Sequence, residues 1–308
     1  MFEKNLIEHI KENREIKDIS LKIYLGNVRK LNDNKPITSL SFLRKTSTIL
    51  EQIKDMKTST QRNYISAVLV ILTKQPKFKS VCEKYKTRLK ELNEIYNKHI
   101  ESHQKTEKEE ANWTTLASLK KKVFNYYRKD IKERGLDKKT TLNNKEFDIY
   151  QMFVVVSLYM LLPPIRLDFA NLKIVKSRSD MEDKSKNYLL NISRNCKYFY
   201  INEFKTSDKH SPIEIKVPSA LNTILNGWLR VNDSEYLLLN KTKSPMSPNS
   251  LGKYITKAFL PSGKKISINM LRKIYISENV DLEVIKKRQD MANIMAHSVK
   301  VQQSYIKV

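Results

Sequence analysis

Residues 266–308 read ISINMLRKIYISENVDLEVIKKRQDMANIMAHSVKVQQSYIKV, and they set the reading of the whole chain. Arg272 stands in one amphipathic helical pattern, His297 follows the next, and Tyr305 comes eight residues after the histidine. A guanidinium, an imidazole and a phenol in this order, in a basic protein, suit chemistry at a phosphodiester with tyrosine as nucleophile. Such chemistry needs charge on both non-bridging phosphate oxygens. Arginine fits that need, because its planar fork donates two bonds and keeps its charge. It also needs a proton for the leaving oxygen, which a lysine on a turn supplies. The rest of the chain must therefore provide a second arginine, a lysine and a surface for DNA.

Composition supports that search. The chain has 308 residues, a length that suggests two domains, and 40% hydrophobic residues, enough for real cores. The formal charge is +25 and the pI about 9.8. A globular protein this basic faces a polyanion, nucleic acid first and an anionic membrane surface second. The basic residues are spread along the chain among tyrosines, which favours a footprint on double-stranded DNA over a polybasic lipid anchor. The only cysteines, Cys82 and Cys196, have no metal-like spacing, which points to a reducing intracellular compartment. The opening MFEKNLIEHIKEN lacks the apolar core of a signal peptide. The apolar run 153–162 is too short to span a bilayer, so no membrane role is expected. Five glycines and no GxGxxG or GxxxxGK[ST] argue against NAD or ATP chemistry.

Taken in order, residues 1 to about 100 read as helices. Ser20 is a candidate cap for a helix whose apolar face is Ile23, Leu25, Val28 and Leu31. A helix through 41–56 and another carrying Ile65, Val68, Leu69 and Leu72 follow, and Pro76 ends the second. His99 and His103 share the i, i+4 spacing of a metal pair, but no third ligand accompanies them, so a solvated face is expected. The polar stretch ESHQKTEKEEA, residues 101–111, marks the domain boundary. The expected division is 1–105, a linker at 106–112, and 113–308. In the last of these, Gly135 is a candidate C-cap and 147–162 a buried apolar helix ended by Pro163-Pro164. Four short strands are expected at 172–175, 188–193, 197–204 and 213–217, forming a small antiparallel sheet, with Lys205 to Lys209 as a turn between two of them. Helices return after Pro218.

Arg166 just after the double proline and Lys205 on the turn are the missing groups. Taken singly, each candidate also has a structural reading. Arg166 is a solvated residue at the end of a helix, Arg272 a cation snorkelling from an apolar face, Lys205 one basic turn residue among many. Likewise His297 is a helix-end histidine and Tyr305 a surface ring. Their order and context distinguish the functional reading.

The motifs LPPIRLDFANL, FKTSDKHSPIEIKVP, INMLRKIYIS and MAHSVKVQQSYIKV resemble the catalytic domain of the tyrosine recombinase (phage integrase) family. The wording is similar to a divergent branch found in large DNA viruses, virophages and related mobile elements. The resemblance covers roughly residues 113–308; the first hundred residues match only the general helical character of the family's core-binding domain. It implies a mainly α fold with a small antiparallel β-sheet: an all-helical core-binding domain followed by an α+β catalytic domain. Carried over, Arg166 and Arg272 are similar to the two catalytic arginines, Lys205 to the hairpin lysine, His297 to the histidine of a GHS motif, and Tyr305 to the nucleophile. Asn269 stands where the family's HxxR motif begins with histidine. Phe169 stands three residues after the first arginine, where the family has an acidic residue, and Asp168 lies one position earlier. Ala296 replaces the glycine before the histidine, a mild change if its φ is negative.

The resemblance implies a site-specific recombinase or integrase acting on double-stranded DNA through a 3′-phosphotyrosyl intermediate. The phosphotyrosine conserves the bond energy, so no cofactor or metal is called for. A homotetramer is implied in the synaptic complex, with a monomer or dimer in solution, in an intracellular compartment with the DNA (a host nucleus or viral replication compartment if the source is viral). Family members exchange a longer C-terminal segment between protomers. Here Ile306, Lys307 and Val308 alone follow Tyr305 in the sequence, so either the tyrosine segment passes whole to a neighbour or protomers join elsewhere. The alternatives are a type IB topoisomerase-like enzyme and a non-catalytic DNA clamp, the latter kept open by Asn269.

Overall fold

A computed structural model describes residues 2–305; Met1 and residues 306–308, the stretch beyond Tyr305, lie outside the described residues. The chain divides into two compact units, Met1–Lys105 and Thr106–Val308.

The first unit is helical: α1 Phe2–Asn13, α2 Asp18–Leu31, α3 Thr46–Ile53, α4 Thr58–Ile71 and α5 Lys79–Glu101. Its core follows helical spacing. Leu21, Leu25, Val28 and Leu31 line the inner face of α2, which packs on α4. Ile23, expected on that face, is 57% exposed, because it lies two residues from Leu21 and Leu25 and so points away from both. Ser20 is no cap either; α2 starts at Asp18, whose carboxylate favours the positive end of the helix dipole. The segment expected as one helix over 41–56 is broken at Lys45 (φ −78°, ψ 62°) into a 3₁₀ turn, Ser41–Arg44, and α3. The buried Tyr85 donates its hydroxyl to Leu43 O at 3.0 Å and holds that turn to α5. His103 has φ 53° and lies beyond the end of α5, so it shares no helix face with His99.

In the second unit, residues 106–112, expected as a linker, form a short capped helix, α6 Glu107–Asn112. Thr106 and Glu109 make a reciprocal capping box there. Lys265 N–H donates to Asn112 Oδ1 at 2.8 Å, and Glu109 pairs with Lys273, so α6 is fastened to the unit it precedes. α7 Leu116–Leu119 runs through a π turn at Lys120–Phe124 into α8 Asn125–Glu133, and Gly135 ends it at φ 62° in the left-handed region. α9 Asn144–Leu161 starts on an Asn143–Glu146 capping box and is buried from Tyr150 to Tyr159. α8, α10 Ser219–Val231 and α11 Pro248–Ala258 pack on it. Then come α12 Ile268–Asn279, α13 Leu282–Ile294 and α14 Val299–Ser304.

Four strands form one sheet in the order β1-β2-β3-β4: β1 Lys173–Val175, β2 Tyr188–Ser193, β3 Cys196–Ile201 and β4 Ile213–Lys216. The sheet is mixed, not wholly antiparallel as expected, because β1 pairs with β2 in parallel, Lys173 opposite Tyr188. The long connection 176–187 lets the chain return before pairing. Period-two alternation splits the sheet: Leu189, Phe199 and Ile201 join the main core, while Val175, Tyr188 and Leu190 form a small cluster of their own. Lys197, only 2% exposed, lies on the inner side of β3 and donates to Ser193 O, Arg194 O, Asn222 Oδ1 and Asn226 Oδ1. Burial pushes its pKa down, and the neighbouring Cys196 opposes that. No described helix is long and apolar enough to cross a membrane.

Candidate active site

The double proline stops α9, since Pro163 and Pro164 lack the N–H groups a helix needs, and the chain turns into the loop of Arg166. Three anchors shape that loop. The buried Tyr159 donates its hydroxyl to Arg166 O at 2.8 Å. Phe169, fully buried, stacks edge-on between Tyr159 and Phe199, with ring centroids 5.6 and 5.1 Å away. Ala170 N–H closes a turn on Leu167 O at 3.0 Å. Phe169 is therefore a core residue, and no carboxylate fits at its position. The Arg166 side chain itself is exposed.

Arg272 reaches this loop from α12. Ser267 caps α12, whose Leu271 and Ile274 are buried, and Arg272 between them is half-buried. Its Nη1 donates to Pro164 O at 3.3 Å, two residues before Arg166 and 108 residues away along the chain. Asp168 lies within electrostatic reach of both guanidiniums. Burial pushes the Asp168 carboxyl up from its ordinary value, while Arg166 and Arg272 pull the other way. Two arginines from distant parts of the sequence thus act electrostatically on one half-buried carboxyl. α12 is held in place by the Glu109–Lys273 pair and by Glu278, which accepts from Leu116 N–H at 3.0 Å and caps the start of α7.

Lys205 lies in the connection between β3 and β4 and is exposed. Asn187 ties this connection to the Arg166 loop. Its Oδ1 accepts from the N–H groups of Asn202 and Glu203 at 2.9 and 2.8 Å. Its Nδ2 donates to Asp168 O and Glu203 O at 2.9 and 3.0 Å. Sequence reasoning missed Asn187 and Tyr159. A lone Asn before a strand reads as a turn residue, and a tyrosine in an apolar helix reads as core.

His297 and Tyr305 form a second group. α13 ends with Ala296 at φ 55°, where Ala296 and His297 N–H groups bond Asn293 O and Ala292 O. Ala296 in place of glycine would be a mild change only on a negative φ. The φ here is positive, and a Cβ is strained in the left-handed region. The turn carries His297 to Tyr305, ring centroids 5.7 Å apart. Both His297 ring nitrogens are buried and have no hydrogen-bond partner among the described residues. Tyr305 is 63% exposed. Asn269 is exposed in the first turn of α12, three residues before Arg272.

The structure thus brings Arg166, Asp168 and Arg272 together, joins Lys205's connection to them through Asn187, and pairs His297 with Tyr305. Among the described residues no hydrogen bond or ion pair links the His297–Tyr305 group to the arginines. No described group of His, Cys, Asp and Glu could hold a metal ion.

No protein-family model matches this sequence, and no curated protein matches it. Among solved structures the chain is similar to a XerA recombinase, at 15% identity and a TM-score of 0.36, covering 99% of this chain and 92% of that one. It is also similar to a lambda integrase dimer bound to a COC′ core site, at 14% identity and a TM-score of 0.39, covering 88% of this chain and 67% of that one. Likenesses this distant leave function to the residues of the site itself.

Proposed function

We propose that this chain breaks and rejoins double-stranded DNA by tyrosine chemistry, as a recombinase or integrase of the tyrosine recombinase type. One observation carries the reading: Arg272, far away in sequence, bonds Pro164 O in the loop of Arg166, so both guanidiniums lie within electrostatic reach of one half-buried carboxyl. Held this way, the two guanidiniums form a receptor for the two non-bridging oxygens of one phosphate.

The Tyr305 hydroxyl oxygen bonds to phosphorus and its proton leaves to a base. The bond from phosphorus to the 5′ oxygen breaks, and Lys205 gives that oxygen a proton. The 3′ side stays attached to the tyrosine as an ester, so rejoining reverses the step without ATP. Arg166 and Arg272 meet the charge that grows on the phosphate. His297, whose ring nitrogens have no partner among the described residues and which lies beside Tyr305, donates to a phosphate oxygen or orients the phenol. Asn269 offers an uncharged hydrogen bond one helical turn before Arg272.

The basic surface supports DNA as partner. A hollow of about 820 Å³ on the second unit is lined by Lys145, Lys241, Lys243, Lys253 and Lys257. Assembly on DNA is supported by α13, which buries Ala292 and exposes Val284, Ile285, Met291 and Ile294. A tetramer of this chain bridging two duplexes is the expected complex, and sedimentation of the DNA-bound protein as a monomer alone would refute it.

The chemical reading is tested on nicked duplexes that lose the short strand after cleavage and so trap the covalent adduct. Arg166→Ala and Arg272→Ala should each bind DNA yet lose adduct by about 10²–10³-fold, the cost of removing one transition-state donor. Unchanged adduct yield in either variant contradicts the assignment. A supercoil relaxation assay beside a two-site recombination assay separates recombinase from topoisomerase.

A further inference from the structure

We infer that Asn187 is the positioning residue that fixes Lys205 against the phosphate receptor of Arg166. The inference rests on the proposed tyrosine chemistry and adds to it a residue outside the reacting set. Asn187 is 8% exposed and sits just before β2. A primary amide has two acceptor lone pairs and two N–H donors, and here all four are used. Two accepted bonds hold the N–H groups of Asn202 and Glu203 as the chain leaves β3. One donated bond holds Glu203 O, and the other crosses to Asp168 O.

The geometry is symmetric about the amide. Glu203 lies two residues before Lys205, and Asp168 lies two residues after Arg166. A single rigid group therefore joins the backbone that carries the proton donor to the backbone that carries the first phosphate cation. Both side chains are exposed, so their backbones are what Asn187 can hold. A fully satisfied buried amide is directional in a way that an apolar contact is not. Side-chain order at Lys205 matters only for delivery of its proton to the leaving oxygen. Asn187 should therefore act on departure of the leaving group and spare DNA binding.

That split is measurable. Replacing the bridging 5′ oxygen of the scissile phosphate by sulfur gives a leaving group that departs without a proton. Adduct formation is followed on the oxygen and sulfur substrates, with affinity for intact duplex and the melting temperature recorded for each variant. Asn187→Ala should slow adduct formation on the oxygen substrate by about 10–100-fold, the range for residues that orient a reacting group, with sulfur restoring nearly the wild-type rate and affinity unchanged. Lys205→Ala should show the same pattern. Should the alanine variant fail to fold, Asn187→Asp keeps the volume and the accepted bonds, loses the two donated ones, and should show the same sulfur rescue. Equal losses on both substrates, or no loss on oxygen, overturn the inference. Wild-type protein that forms no adduct on either substrate overturns the tyrosine chemistry beneath it, so the two failures are distinct.

Discussion

At Ala296 the chain ends a helix with a residue in the left-handed region, φ 55°. A Cβ there costs about 1–2 kcal/mol, whereas glycine adopts the conformation freely and loses somewhat more chain entropy on folding. Ala296→Gly should therefore stabilise the turn between α13 and His297, by about 0.5–1 kcal/mol. Amide exchange at the end of α13 reads this directly, and faster exchange in the variant contradicts it. Asp168 gives a pH prediction. Its folded pKa lies above the unfolded one, so the folded chain holds the proton more tightly. Its contribution to stability is full below the unfolded pKa and is lost as pH rises through the folded value. As pH rises from the ordinary carboxylate pKa through the raised folded one, stability should fall less in Asp168→Asn than in wild type; parallel curves in denaturant titrations refute this. The arginines, lysine, histidine and tyrosine were legible because they are charged or nucleophilic and stand in a characteristic order. Asp168 was visible as a carboxylate, but its nearness to Arg272 follows from the bond of Arg272 to Pro164 O, 108 residues away in the chain. Asn187 was not legible, since its partners are backbone groups of two other segments.

Among elements, the pairing of α9 with α10 depends on Gly227. A Cβ built there would overlap the Tyr150 hydroxyl, and Tyr150 is itself buried against Trp228, ring centroids 5.7 Å apart. Alanine favours the helix by up to about 1 kcal/mol over glycine, but overpacking a closed core costs about 1–3 kcal/mol. Gly227→Ala should lower stability, and Tyr150→Phe should recover part of the loss in the double variant. Additive effects of the two changes in urea unfolding argue against the clash. Helices and strands were largely legible, because α2 and α4 keep helical apolar spacing, α9 is a continuous apolar run too long for a strand, and β3 alternates with period two. The parallel partner of β2 was not, because β1 is three residues long and its partner is set by a long connection. The break at Lys45 and the helix at 106–112 were hidden for a related reason: each is decided by bonds to other segments, such as Tyr85 to Leu43 O and Lys265 to Asn112.

For the molecule as a whole, charge dominates. With a formal charge of +25, DNA binding should weaken steeply with salt, because each neutralised phosphate releases condensed counterions, about 0.9 per contact in the logarithmic slope. A nearly salt-independent affinity would contradict a polyanion footprint. The basic character was legible from composition alone; which surfaces carry it was not, since the lysines around the 820 Å³ hollow come from α9, α11 and the loop before α11. The apolar side of α13 likewise shows only in three dimensions, where Ile294 is 86% exposed. The central claim is that Tyr305 becomes bonded to DNA. The direct measurement is covalent trapping on a randomised pool of nicked duplexes, comparing wild type with Tyr305→Phe after denaturation. Adduct with wild type, mapped to Tyr305 and absent from the phenylalanine variant, is the predicted result. No adduct with wild type, or equal adduct in both proteins, would contradict it.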